Sequence, residues 1–145
     1  MTENKNEVNV LDELNKGACM GQDAIHFIMD KVTDENLKAE LKREYNQYKK
    51  ITDEISELYP EYSNKKPHDT SAMNKVMTWY GIEMKTLMDD TTSKLAELLM
   101  QGTNMGIIEG RRLLNQKNTD VEVEKLVQEY VDMQEDAVEN LKKFL

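Results

Sequence analysis

The chain has one cysteine, two prolines, six glycines and only 6 % aromatic residues. A single thiol, Cys19, cannot build a disulfide framework and fits a reducing compartment. With prolines only at positions 60 and 67, most of the chain is free of helix breakers. No apolar run approaches the roughly 20 residues a membrane span needs. The opening Met1-Thr2-Glu3-Asn4-Lys5-Asn6 lacks the apolar core of a signal peptide, so a cytoplasmic location is expected. Basic residues are outnumbered 19 to 28, giving a net charge of −9, and no basic run is long enough to track a phosphate backbone. Nucleic acid and membrane are therefore not expected partners. There is no Gly-rich phosphate loop, no Ser-His-Asp arrangement and no Cys-x-x-Cys. Nothing alternates with period two, which excludes strands.

What is present is apolar periodicity. Hydrophobic residues make up 39 % of 145 residues, the size of one domain with a proper core. Spacings of three and four run through Val10, Leu11, Leu14, Ala18, Gly21, Ile25, Ile28 and Val32, predicting a helix over about 7–32. Thr33 and Asp34 supply cap chemistry. Leu37, Leu41, Tyr45, Tyr48, Ile51, Ile55 and Tyr59 predict a second helix over about 35–59, ended by Pro60. A third stripe, Met73, Val76, Met77, Tyr80, Met84, Leu87 and Met88, covers about 70–88. Cap-type residues Asp89-Asp90-Thr91-Thr92-Ser93 follow it. Leu95, Leu98, Leu99, Gly102, Met105, Gly106 and Leu113 mark a helix over about 91–116. Val123, Leu126, Tyr130, Met133, Ala137, Leu141 and Phe144 mark the last, about 120–144, with Thr119 and Glu122 as its capping box. The alternative is a single unbroken helix over 70–115.

Residues 14–45 return at 99–130, shifted by 85. Leu14, Gly17, Met20, Gly21, Leu41, Glu44 and Tyr45 recur as Leu99, Gly102, Met105, Gly106, Leu126, Glu129 and Tyr130. Seven identities in 32 positions stand against roughly two by chance. The repeat organises residues 1–145 as a single domain: hairpin one at about 7–59, a crossover loop and helix at about 60–89, and hairpin two at about 91–144. A long connection lets the second helix and the first helix of hairpin two run parallel, the single-crossover topology of ferritin-like four-helix bundles. Gly17, Gly21, Gly102 and Gly106 each cost about 1 kcal/mol relative to alanine inside a helix. Counting from the turns sets Gly21 level with Tyr45 and Gly106 level with Tyr130, so the glycines are expected to leave room for a ring or for close backbone approach, the alternative being a hollow around a ligand or metal centre.

Two groups of side chains are candidates for function. Glu44 lies between Leu41 and Tyr48 on the buried stripe, Glu109 is expected to turn inward, and Glu129 repeats Glu44 with Asp132 three residues on. Di-iron and di-manganese bundles use one Glu on each of two helices and Glu-x-x-His on the others. Here Glu44 is followed by Gln47 and Glu129 by Asp132, so no cofactor is expected. The alternative is iron or manganese on a degenerate set of Glu44, Glu109, Glu129 and Asp132. The second group is the methionine-rich stripe, Met73, Met77, Tyr80, Met84 and Met88, an adaptable surface for a homodimer or a protein partner. Trp79 and Ile82 lie on its opposite face. Asp23 with His26 reads as a surface pair, His68 has no evident ligand partner, and Cys19 has no nearby base.

On these residues the chain resembles the ferritin-like superfamily. It looks most like small bacterial ferritin-like bundles of unknown function, whose first hairpin reads broadly as Leu14-Asn15-Lys16, then Gly21, then Val32-Thr33-Asp34-Glu35-Asn36-Leu37-Lys38. The resemblance covers both hairpins and not the 70–88 segment. It implies the bundle fold and leaves activity open, because the superfamily includes iron stores, rubrerythrin-type peroxide reductases and non-metal relatives. The expected function is a non-catalytic bundle acting by association, in a stress, storage or spore-coat-like role. A metal-binding oxidoreductase or metal store is the alternative.

Overall fold

In the computed structural model, residues 5–67, 91–116 and 118–145 are described. Four α-helices carry the fold among them: α1 (Lys5–Met29), α2 (Glu35–Leu58), α3 (Thr92–Gln116) and α4 (Val121–Leu141). Single 3₁₀ turns follow α2 at Tyr59–Glu61 and α4 at Lys142–Phe144. The described residues contain no strand. The 70–88 stripe, with Met73, Met77, Tyr80, Met84 and Met88, lies outside the described residues, as do His68, Trp79 and Ile82.

The ends of the helices follow local chemistry. Asp34 caps α2 with extended backbone, and its carboxylate accepts the Leu37 amide at 2.9 Å. Pro60 enters the 3₁₀ turn, and α2 stops at Leu58. α3 starts at Thr92, and Thr91 just before it accepts the Leu95 amide at 3.0 Å through its carbonyl; the alternative of one unbroken helix over 70–115 falls on residues outside those described. The expected Thr119–Glu122 box is corrected. The N-cap of α4 is Asp120, which makes no side-chain cap bond. Its carboxylate is taken instead by the Tyr62 hydroxyl at 2.8 Å. A tertiary partner has displaced the local one.

α1 pairs with α2, and α3 pairs with α4, each across a short turn. The two hairpins then meet, α2 against α4 and α1 against α3, with α1 and α4 touching across the middle. Direction is fixed by side-chain pairs. Arg43 meets Asp136, Tyr48 meets Gln134, and Tyr62 meets Asp120, so α2 and α4 are antiparallel. It follows that α2 and α3 run the same way. The core is Leu11, Leu14, Ile28, Leu37, Leu41, Ile55, Leu95, Val123, Val127 and Leu141, all essentially dry. Burying each such side chain stabilises the fold by about 1.5–3 kcal/mol.

The glycines meet different partners from those expected. Gly21 lies under the ring of Tyr48, one turn beyond Tyr45, and Gly106 lies under the amide of Gln134. Tyr130 reaches across the bundle to Gly17. Counting from the turns treats the helices as straight and coplanar. In the structure Tyr45 is only partly buried at the edge of the core, and Tyr48 fills the space.

Candidate functional site: a buried polar layer

The interior of the bundle is not wholly apolar. Glu44 and Tyr48 are one turn apart on α2, as are Tyr130 and Gln134 on α4, so each pair shares a face. All four are buried, and α3 adds buried Thr103. Glycines on α1 and α3 leave the room: a Cβ at Gly17 would fall 2.3 Å from the Tyr130 hydroxyl, which a packed protein does not tolerate. The tyrosine rings sit tilted with centroids 6.3 Å apart, a favourable aromatic spacing.

The protons of this layer can be followed. The Gln134 amide donates to the Tyr48 hydroxyl at 3.2 Å and also hydrogen-bonds Tyr130. Tyr48 in turn is hydrogen-bonded to Thr103, whose own hydroxyl donates to the Leu99 carbonyl at 2.8 Å. Burial pushes both tyrosine hydroxyls above their ordinary range, so both stay protonated at any ordinary pH. The Oε1 atoms of Gln134 and Gln47, and Oε2 of Glu44, are buried acceptors with no partner.

Glu44 is the charged-type residue at the edge of this layer, 2 % exposed. Burial pushes its carboxyl up to about 10, reinforced by a hydrogen bond to Glu40 and by the charges of Glu40 and Asp136. Glu44 is thus a neutral acid at neutral pH, donating to its neighbour. Glu40, one turn away, remains ionised. Burial opposes its charge, but the Arg43 guanidinium at 2.6 Å outweighs that and holds its carboxyl below the ordinary value.

The other three carboxylates proposed from the sequence are elsewhere. Glu109 does not turn inward: its side chain is 66 % exposed and pairs with Arg112 at 2.5 Å. Its neighbour Gly110 takes the buried position against Val131. One residue is about 100° of helix, enough to move a side chain from core to solvent. Asp132 is exposed and accepts from Gln128 at 2.8 Å. Glu129 is partly buried and meets Glu54, with which it shares a hydrogen bond. Burial, then Glu129, raises the Glu54 carboxyl. The four do not converge, and among the described residues no three His, Cys, Asp or Glu side chains are grouped to hold a metal ion. His26 is exposed and Cys19 partly buried.

Sequence reasoning missed Gln134 and Thr103. Both stand on stripe positions, Gln134 between Tyr130 and Ala137 and Thr103 four residues after Leu99, and a polar residue there is the available signal. A second feature, an open groove at the bundle end, is lined by Glu61, Tyr62, Asp120, Val121 and Glu122. No helix among the described residues is long and apolar enough to cross a membrane. The chain matches no protein-family model, no curated protein and no solved structure.

Proposed function

We propose that this chain is a non-catalytic ferritin-like bundle that works by associating with a second copy or a protein partner, in a cytoplasmic stress, storage or spore-coat-like role. The observation that carries the reading is the dispersal of Glu44, Glu109, Glu129 and Asp132 around an interior filled by Tyr48, Tyr130 and Gln134. Such an interior supports packing better than it supports a dinuclear centre. The duplicated hairpin agrees with the helix bounds: moved by 85, α1 falls on 90–114 beside Thr92–Gln116, and α2 on 120–143 beside Val121–Leu141. The shared direction of α2 and α3 is that of a single-crossover bundle.

Two surfaces are candidates for contact. One is the stripe Met73, Met77, Tyr80, Met84 and Met88. The other is the outer side of α3, where Met105 and Ile108 are 49 % and 51 % exposed, one turn apart. Light scattering tests the reading. The native chain is expected to be a dimer, and Met77→Glu/Met84→Glu or Met105→Glu/Ile108→Glu to give a monomer with unchanged helical circular dichroism. A monomeric native chain that captures no partner refutes association. Elemental analysis after anaerobic loading with iron or manganese tests the other reading: about two metals per chain would establish a dinuclear centre in place of this one.

A further inference from the structure

The interior holds more acceptors than donors. Among the described residues no buried side-chain nitrogen lacks a hydrogen-bond partner, whereas Oε2 of Glu44, Oε1 of Gln47 and Oε1 of Gln134 all do. Glu44 and Gln134 are each 2 % exposed. Gln47 is partly buried, with its Oε1 sealed from solvent. An oxygen withdrawn from water and given no donor costs free energy, and native interiors meet that need with a protein donor or with ordered water.

The three oxygens belong to one stretch of the α2–α4 seam. The Arg43–Asp136 ion pair, at 3.4 Å, bounds it on one side, and the Gln134–Tyr48 hydrogen bond, at 3.2 Å, on the other. Those contacts are separated along α2 by about 7.5 Å of helix. Glu44 and Gln47 lie between them, one turn apart and on one face. Gln134 stands at the second contact, with its nitrogen committed to Tyr48 and Tyr130 and its oxygen left over. The protein donors nearby are taken. Arg43 serves Glu40 and Asp136, and the Thr103 hydroxyl serves the Leu99 carbonyl. Across from Glu44, Asp136 is followed by Ala137, wholly buried, so the inner face of α4 is short there.

We propose that this stretch is a buried hydration site, in which a pair of ordered waters donates to the free oxygens of Glu44, Gln47 and Gln134. The protons balance. Two waters bring four: three go to the three oxygens and the fourth links one water to the other. Each water then makes two or more hydrogen bonds, as buried waters do. A cation would also satisfy three oxygens, but two of them belong to neutral amides and Glu44 is a neutral acid at neutral pH. The nearby carboxylates, Glu40 and Asp136, already hold Arg43. The waters thus tie hairpin one to hairpin two, next to the tyrosine pair.

Magnetic relaxation dispersion of the water oxygen counts long-lived internal waters directly. The native chain is expected to hold about two more than Glu44→Leu/Gln47→Leu, which removes both acceptors of α2. Gln47→Leu alone is the milder change, since its side chain is only partly buried, and is expected to lose about one. Ile51→Ala loosens the same seam without touching an acceptor, and the apolar gap it leaves stays dry, so it keeps the native count. Equal counts in the native chain and both leucine variants overturn the proposal. So does the same loss in Ile51→Ala, which is general loosening. Melting temperatures in sodium, potassium, ammonium and choline chloride at one ionic strength complete the test, and no difference among the four is expected. A stabilisation by one small cation, present in the native chain and absent from the double variant, gives the place to that cation and overturns the water assignment.

Discussion

Alanine at Gly17 gives the most direct test of how this interior is packed. In a free helix Gly→Ala gains about 1 kcal/mol. Here the added Cβ would stand 2.3 Å from the Tyr130 hydroxyl oxygen and 3.0 Å from Cζ. Tyr130 is buried, rigid and hydrogen-bonded to Gln134, so it cannot swing aside cheaply. Overpacking of this kind costs about 1–3 kcal/mol. The net expectation for Gly17→Ala is a loss of about 1–2 kcal/mol, near 2–4 °C of melting temperature per kcal/mol at this size. Tyr130→Phe alone loses one buried hydrogen bond, about 1 kcal/mol. Combined, the two changes relieve each other. The offending oxygen is gone, the ring carbon needs a few tenths of an ångström, and the helix regains the benefit of alanine. The double variant is expected within about 1 kcal/mol of the native chain, a coupling energy of roughly 1–2 kcal/mol in urea denaturation. Gly21 provides the contrast. Its Cβ would stand over the Tyr48 ring, with Cζ, Cε1 and Cε2 all at 2.5–2.6 Å. Removing the hydroxyl cannot help there, so Gly21→Ala and Tyr48→Phe should add. Additive effects at Gly17 and Tyr130, within about 0.5 kcal/mol, would refute the packing argument.

Glu44→Gln is expected to stabilise the protein at neutral pH. The folded carboxyl is raised from 4.5 to about 10, so above pH 4.5 the unfolded chain releases a proton that the folded chain keeps. That contribution is fully present below about pH 4.5 and is lost as pH rises toward 10, at about 1.4 kcal/mol per unit, or roughly 3 kcal/mol by pH 7. Urea midpoints should therefore coincide for the two proteins near pH 4.5 and diverge in favour of Gln by pH 7.5; parallel curves would mean that Glu44 is ionised in the fold. Glu109→Ala should change stability by less than about 0.5 kcal/mol, since its ion pair with Arg112 is exposed and worth little. A loss of 2 kcal/mol or more in thermal denaturation would place Glu109 in the interior after all.

The parts of this molecule written in the sequence are those fixed by near neighbours. Helix periodicity, Asp34 as a cap and Pro60 as a stop all act within a few residues, and all recur in the structure. Glu44 was legible because it sits centrally between Leu41 and Tyr48 on its stripe. Glu109 was misread because it lies at the edge of its stripe, where one step round the helix exchanges it with Gly110. Asp120 was missed as a cap because its side chain answers to Tyr62, 58 residues away. The pairing of Tyr130 with Gly17 was likewise out of reach, since it depends on how the two hairpins cross. Local rules gave the helices. The polar layer needed the crossing, which single-helix patterns do not contain.

That layer has a physical use that its stability cost alone would not justify. An all-leucine interior could slip by a turn with little penalty. Here a slip of α4 along α1 carries the Tyr130 hydroxyl from Gly17 toward Leu14 in one direction and toward Gly21, already under Tyr48, in the other. The same slip takes Gln134 away from both tyrosines and off Gly106, leaving a buried amide with donors as well as its acceptor unpaired. Each buried group so orphaned costs about 1–3 kcal/mol, enough to make one register dominate. Tyr130→Leu/Gln134→Leu removes both penalties at once. The variant should remain helical and melt within a few degrees of the native chain, yet give doubled or broadened amide resonances in α1 and α4 from more than one packing arrangement. A single sharp set of resonances from that variant would show that register is held elsewhere.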